Sequence, residues 1–211
     1  MFALFVPAIL NGLIGWTIWG WLFTRIGDYQ ETTGVFQNYV AWYVPFLLLL
    51  LVGFYWKRLP EAWRKRGKLF RPSRNGLLSD VLVSLLISGL MVTVTLVLLK
   101  FSGGFTITES LSATQWWAHL IGMVFVAPLT EEIIFRAYGF RVATERGWST
   151  GKGIIITALA FALWHANPFL ILPAFLMGLV LYWLFSRTQT LFSPVLVHGI
   201  TNGALFVIIY Q

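Results

Sequence analysis

Two adjacent glutamates, Glu131 and Glu132, stand inside a mostly apolar stretch from Trp116 to Phe140, with Arg136 one helical turn later. One ionised acid at the centre of a membrane helix costs roughly 2.5–3.5 kcal/mol on the low estimate, so a pair of them must be compensated or used. Two further polar patches interrupt the apolar runs that follow. One is Phe161-Ala162-Leu163-Trp164-His165, and the other is His198-Gly199-Ile200-Thr201-Asn202. A carboxylate, two imidazoles and a carboxamide are a sufficient set for hydrolysis.

Helical geometry separates the two acids, because neighbouring side chains point about 100° apart. Glu132 and Arg136 share one face as i and i+4, in the favourable acid-before-base order, and are assigned a supporting ion pair that lowers the cost of burying both. Glu131 is then the unpaired acid, free to face a bundle interior. Glu131 lies 10 residues before Arg141, His165 lies 13 after Lys152, and His198 lies 11 after Arg187. At about 1.5 Å per residue these are depths of roughly 15, 20 and 16 Å, so the three side chains can meet at one level. Asn202 follows His198 by one turn on the same face and joins them.

Glu131, hydrogen-bonded with His165, could activate water as a general base. His198 and Asn202 could donate to the developing oxyanion. The same atoms admit a second scheme, in which Glu131, His165 and His198 are the three protein ligands of a catalytic zinc with water in the fourth position. No H-E-x-x-H occurs, which argues against a conventional zincin, and metal and metal-free catalysis both stay open. Phe161 and Trp164, beside His165, are candidates to line a substrate groove, with packing as their plainer use. A buried histidine or a Glu-Arg pair taken singly is more often structural than catalytic. The weight comes from nearly every deep ionisable residue falling in three patches of matching depth. His119, about 18 Å above Glu131 at the outer end of its span, reads as an interfacial residue. Asp80 reads as an acid at a helix N-terminus near solvent, and Asn11 as an interhelical hydrogen bonder.

Seven apolar runs must position these residues: about 2–24, 38–56, 78–99, 116–140, 153–166, 169–186 and 191–209. The 211 residues are 58% hydrophobic and only 11% charged, less than half the charged fraction of about 25% usual in soluble domains. An all-α, polytopic transmembrane bundle is therefore expected, since lipid leaves open backbone groups unsatisfied. The first run has no basic n-region and exceeds a signal-peptide core in length, so it reads as a retained span. The absence of cysteine excludes disulfides, thiol nucleophiles and Cys-ligated zinc.

Lys57, Arg58, Arg64, Lys65, Arg66, Lys68, Arg71 and Arg74 gather in one loop; with Arg141, Arg146, Lys152 and Arg187 they make twelve basic residues on one side, against Arg25 and Lys100 on the other. This bias predicts about seven spans, N-in and C-out, in a multi-pass protein of the cell membrane. The net charge of +7 is thereby explained without nucleic acid. The 57–74 loop can meet anionic lipid, with Trp63 and Leu69 lying partly in the interface. Run 153–166 rises only about 21 Å, so one kinked helix over 153–186 is the six-span alternative. The Asn167-Pro168 turn signal favours two helices.

At these residues the chain resembles the CPBP family of intramembrane proteases, which includes type II CAAX prenyl endopeptidases and bacterial Abi proteins. The family's pattern is E-E-x-x-x-R, then F-x-x-x-H, then H-x-x-x-N or D. Here it reads Glu131-Glu132-x-x-x-Arg136, Phe161-x-x-x-His165 and His198-x-x-x-Asn202, in order and complete, over roughly residues 115–205. The resemblance implies a helical membrane protease open towards the cytoplasm. In it, Glu131 and His165 would activate water, His198 and Asn202 would hold the oxyanion, and Glu132 and Arg136 would support the site. Both metal-dependent and glutamate-based schemes have been proposed for the family. The cofactor therefore stays open between none and one divalent metal such as zinc. Residues 1–112 are expected to be N-terminal membrane helices with the basic loop, and 113–211 the catalytic core. The expected partner is a membrane-associated peptide or protein substrate. A non-catalytic immunity or sequestration protein is the alternative, and a proton-coupled transporter fits less well.

Overall fold

A computed structural model describes residues 3–13, 44–102, 111–165 and 168–209, all of whose regular structure is helical. Arg25, Gly34, Gly103, Gly104, Asn167 and the remainder of the first apolar run lie outside the described residues. The helices are α1 (Ala3–Leu13), α2 (Val44–Trp56), α3 (Glu61–Arg64, continued by a 3-10 segment Lys65–Phe70), α4 (Leu77–Ser102), α5 (Ala113–Glu145), α6 (Thr150–Trp164), α7 (Pro168–Thr188) and α8 (Phe192–Ile209). Four stretches, Leu77–Ser102, Ala113–Glu145, Phe169–Thr188 and Phe192–Ile209, are long and apolar enough to cross a membrane. With the shorter apolar helices Ala3–Leu13, Val44–Trp56 and Thr150–Trp164, they correspond one for one to the seven apolar runs.

Local chemistry sets the helix ends. Ser112 and Gln115 form a capping box at the start of α5. Gly147, at φ +61°, closes α5 in the left-handed region, and Ser149 then caps α6 by accepting from the Lys152 N–H at 3.3 Å. The helix α6 ends before the short 165–168 connection, and Pro168 opens α7, a position where its missing N–H costs nothing. The two helices fold back on each other. A Cβ on Gly153 would fall 2.5 Å from the Tyr182 hydroxyl, and one on Gly178 would fall 2.9 Å from Ala158 Cα. Those pairings run antiparallel, which disposes of the single kinked helix over 153–186.

The same bookkeeping fixes the ends of the bundle. Tyr55 donates to Ala3 O at 2.5 Å and packs edge-on to Tyr138 at 4.9 Å, so α1 begins where α2 and α5 end. Trp63 lies against Phe140 and Phe185, and Leu191 N–H donates to Leu69 O at 2.5 Å. The basic 57–74 segment therefore covers the end of the bundle where α5 and α7 finish and α8 starts. Leu59 and Leu69 are buried in the common core and Trp63 is half-buried against it. Leu69 faces protein rather than the expected lipid interface, because the ends of α5 and α7 offer it an apolar seat, while Trp63 packs on the same seat and keeps part of its ring exposed. Asp80 is likewise buried; instead of solvent it meets the Ser73 N–H at 2.5 Å and the Ser73 hydroxyl at 2.6 Å.

Candidate active site

The acids stand where α5 departs from regular geometry. Two of its segments, Gly122–Val126 and Glu132–Tyr138, are wound as π turns, a feature often found at functional sites. Pro128 accounts for the first: its ring clashes with the carbonyl four residues back and it has no N–H to give. The Ala127 N–H reaches five residues back to Gly122 O. Met123 O is thereby left for another donor, and Asn202 of α8 supplies it, with Nδ2 at 2.9 Å. One turn earlier on α8, Gly199 sits on the Val124 carbonyl so closely that a Cβ there would fall 2.8 Å from it. This close approach of α8 sets His198 between the two glutamates.

Glu132, Arg136 and Phe135 are fully buried, and Glu131 and His198 are 4% and 3% exposed. Glu132 Oε2 lies 2.9 Å from Arg136 Nε, and Glu132 Oε1 lies 2.9 Å from His198 Nδ1. Glu132 thus bridges an arginine of its own helix and a histidine of α8. Because a carboxylate only accepts, His198 Nδ1 carries a proton, and Nε2 is directed at the other acid. Glu131 Oε2 is 3.8 Å from His198 Nε2, beyond hydrogen-bond reach, and is buried without a hydrogen-bond partner. The other oxygen, Oε1, accepts from the Trp164 indole N–H at 2.9 Å. The hydrogen bond expected between Glu131 and His165 is therefore replaced by one from the preceding residue.

Phe161 holds the cluster together from α6. Its ring carries the Arg136 guanidinium on one face, Cζ at 4.1 Å from the centroid. It also meets Phe135, His165 and His198 edge-on at 5.4, 4.9 and 5.6 Å. A cation over an aromatic face in a dry site gains up to about 2 kcal/mol, which offsets part of the burial of Arg136, whose Nη atoms have no hydrogen-bond acceptor. Phe161 and Trp164 are both buried, so what they line is the charged cluster. His165 is half-buried at the C-terminus of α6, with Nδ1 3.0 Å from Phe161 O. A carbonyl only accepts, so Nδ1 is the donor and Nε2 of the neutral ring holds the lone pair.

Residues from all three sequence patches are together in space, with Asn202 on the α5 backbone one turn from His198. His119 is buried and bonded at Nδ1 to Gln115 O at 2.9 Å, rather than facing an interface. The parts that the motifs do not contain are Pro128, Met123 O and Gly199, which seat α8. Pro128 was the visible signal, a proline inside an apolar helical run. Among the described residues no three His, Asp or Glu side chains are disposed to hold a metal ion. Glu131, His165 and His198 do not converge as a ligand set in this arrangement.

Comparison with known proteins agrees with this geometry in extent. Residues 113–204, somewhat under half of the chain, match the family model described as type II CAAX prenyl endopeptidase Rce1-like. No curated protein and no solved structure gives a significant match. The matched segment runs from the capping box of α5 to just past Asn202 and takes in every residue of the charged cluster. The apolar helical bundle is that of a membrane protein, and the match of residues 113–204 to the Rce1-like type II CAAX prenyl endopeptidase model is consistent with a CPBP family intramembrane protease.

Proposed function

We propose that this protein is an intramembrane endopeptidase that hydrolyses a peptide bond in a membrane-associated peptide or protein. The observation that carries the proposal is Glu131 Oε2, a buried carboxylate oxygen without a hydrogen-bond partner, 3.8 Å from His198 Nε2 and inside the domain that matches a peptidase family. Burying such an oxygen costs stability unless a ligand completes it, and a water lying to one side of the Oε2–Nε2 line and bridging both atoms would supply that partner. Glu131 takes a proton from that water, and the hydroxide attacks the scissile carbonyl carbon. The oxyanion of the tetrahedral intermediate is met by His198 Nε2–H. Glu131 returns its proton to the leaving nitrogen as the C–N bond breaks, giving a carboxylate and an amine.

Donating from Nδ1 to Glu132 and from Nε2 to the oxyanion requires both ring protons on His198, and the two carboxylates then balance its charge and that of Arg136. His165, on the more open side of Phe161 and with its lone pair on Nε2, orients the incoming water. Asn202 fixes α8 to Met123 O and retains one N–H for the oxyanion. The exposed Lys57, Arg58, Lys68, Arg71 and Arg74 form the face that meets anionic lipid at the cytoplasmic side of the cell membrane.

The test uses the full chain in proteoliposomes with an internally quenched CAAX-type peptide, in prenylated and unprenylated forms, and identifies products by mass. Two fragments with a new carboxylate and a new amine are expected from at least one form. Tight binding of the peptides without fragments would support sequestration instead.

A further inference from the structure

Among the described residues, the one hydrogen bond that Glu131 accepts comes from outside the charged pair, and the residue giving it is itself held by the N-terminal helix. Trp164 is the last residue of α6, which ends inside the bundle. The final carbonyls of any helix lack intrahelical partners, and in an apolar interior each such group costs free energy. Asn11 of α1 meets this need, donating from Nδ2 to Trp164 O at 2.6 Å. Asn11 is 6% exposed and Trp164 2%, so neither exchanges the contact for water. The indole of the same tryptophan donates to Glu131 Oε1 at 2.9 Å. A continuous link therefore runs from α1 through the end of α6 to the acid, and it begins 102 positions before the matched domain, which opens at residue 113.

We propose that Trp164 and Asn11 are positioning residues for Glu131, Trp164 directly and Asn11 through it. The indole N–H engages Oε1 and so fixes the plane of the carboxylate, leaving the other oxygen for water. Free rotation of the carboxyl group about its last bond would otherwise swing both oxygens out of the plane that points one of them at His198 Nε2. Asn11 keeps the C-terminal turn of α6 in the register that aims the indole. The inference rests on Glu131 being the water-activating acid, and it gives the N-terminal helices a part in the site that the motif residues do not record.

The direct readout is independent of turnover. Indole 15N–1H spectra of the uniformly labelled, detergent-solubilised full chain identify the Trp164 cross-peak as the one lost in Trp164→Phe. That cross-peak is expected to shift in Glu131→Gln, where a charged acceptor becomes a neutral one, and in Asn11→Ala, where the turn carrying the indole is released. A cross-peak unmoved in Glu131→Gln would overturn the direct role, and one unmoved in Asn11→Ala would overturn the role of Asn11.

With the quenched peptide, Trp164→Phe is expected to lower kcat by about tenfold or more, the scale of one hydrogen bond to a charged group, with KM changed less than about twofold. Asn11→Ala is expected to lower kcat alone, yet to change it less than about twofold in the Trp164→Phe background, since both act on one contact. Full additivity of the two substitutions would contradict the link. If the wild-type chain cuts no peptide, the hydrolytic reading fails while the spectra still decide the contact.

Discussion

The two acids at 131 and 132 differ in what surrounds them more than in where they lie. Glu132 is engaged at both oxygens, by Arg136 and by His198, whereas Glu131 gives one oxygen to an indole and keeps the other bare. The pairing of Glu132 with Arg136 was legible from i, i+4 spacing alone. Its second contact with His198 was not, because that depends on how closely α8 approaches α5. The partner of Glu131 was misjudged for a similar reason: position 165 is the motif residue, but position 164 carries the side chain that reaches across. Removing Arg136 leaves a buried carboxylate with only the imidazole beside it, and breaking a buried pair typically costs about 3–5 kcal/mol. Arg136→Ala is therefore expected to lower both the yield of folded protein and its melting temperature in detergent. Wild-type melting would show that the pair does not stabilise the fold.

At the scale of elements, the junction of α5 and α8 decides the site. Pro128 and the adjoining π turn release Met123 O to Asn202, and Gly199 admits the Val124 carbonyl. The apolar runs announced the helices themselves, whereas the caps at Gly147 and Ser149 emerged only from the structure. The π turns were not legible, since they arise from the competition between Pro128 and tertiary partners for backbone groups. Gly199→Ala is expected to push α8 off α5 and to lower peptide cleavage by at least about tenfold, because a Cβ would fall 2.8 Å from a backbone oxygen that has no room to yield. Gly203→Ala is the matched control, with the added Cβ 3.4 Å from a Val124 methyl. Equal activity of the two variants would remove Gly199 from the account.

For the whole molecule, one bundle end collects the 57–74 segment, the end of α5, the start of α6 and the loop before α8, and with them most of the basic residues. Composition and run length made the helical membrane class legible. They said nothing of how Trp63 and Leu69 tuck beneath α5 and α7, which is decided by apolar contacts distant in sequence. With the basic end in the cytoplasm, a reporter fused after Gln211 should appear on the outer face, and a cytoplasmic signal would refute the orientation. The central claim is that Glu131 activates the attacking water, and Glu131→Gln tests it most directly because the amide keeps the shape and loses the base. Peptide release in proteoliposomes by a variant of normal folded yield should fall by at least about 100-fold, the lower bound for loss of a general base. Release at the wild-type rate would contradict the account.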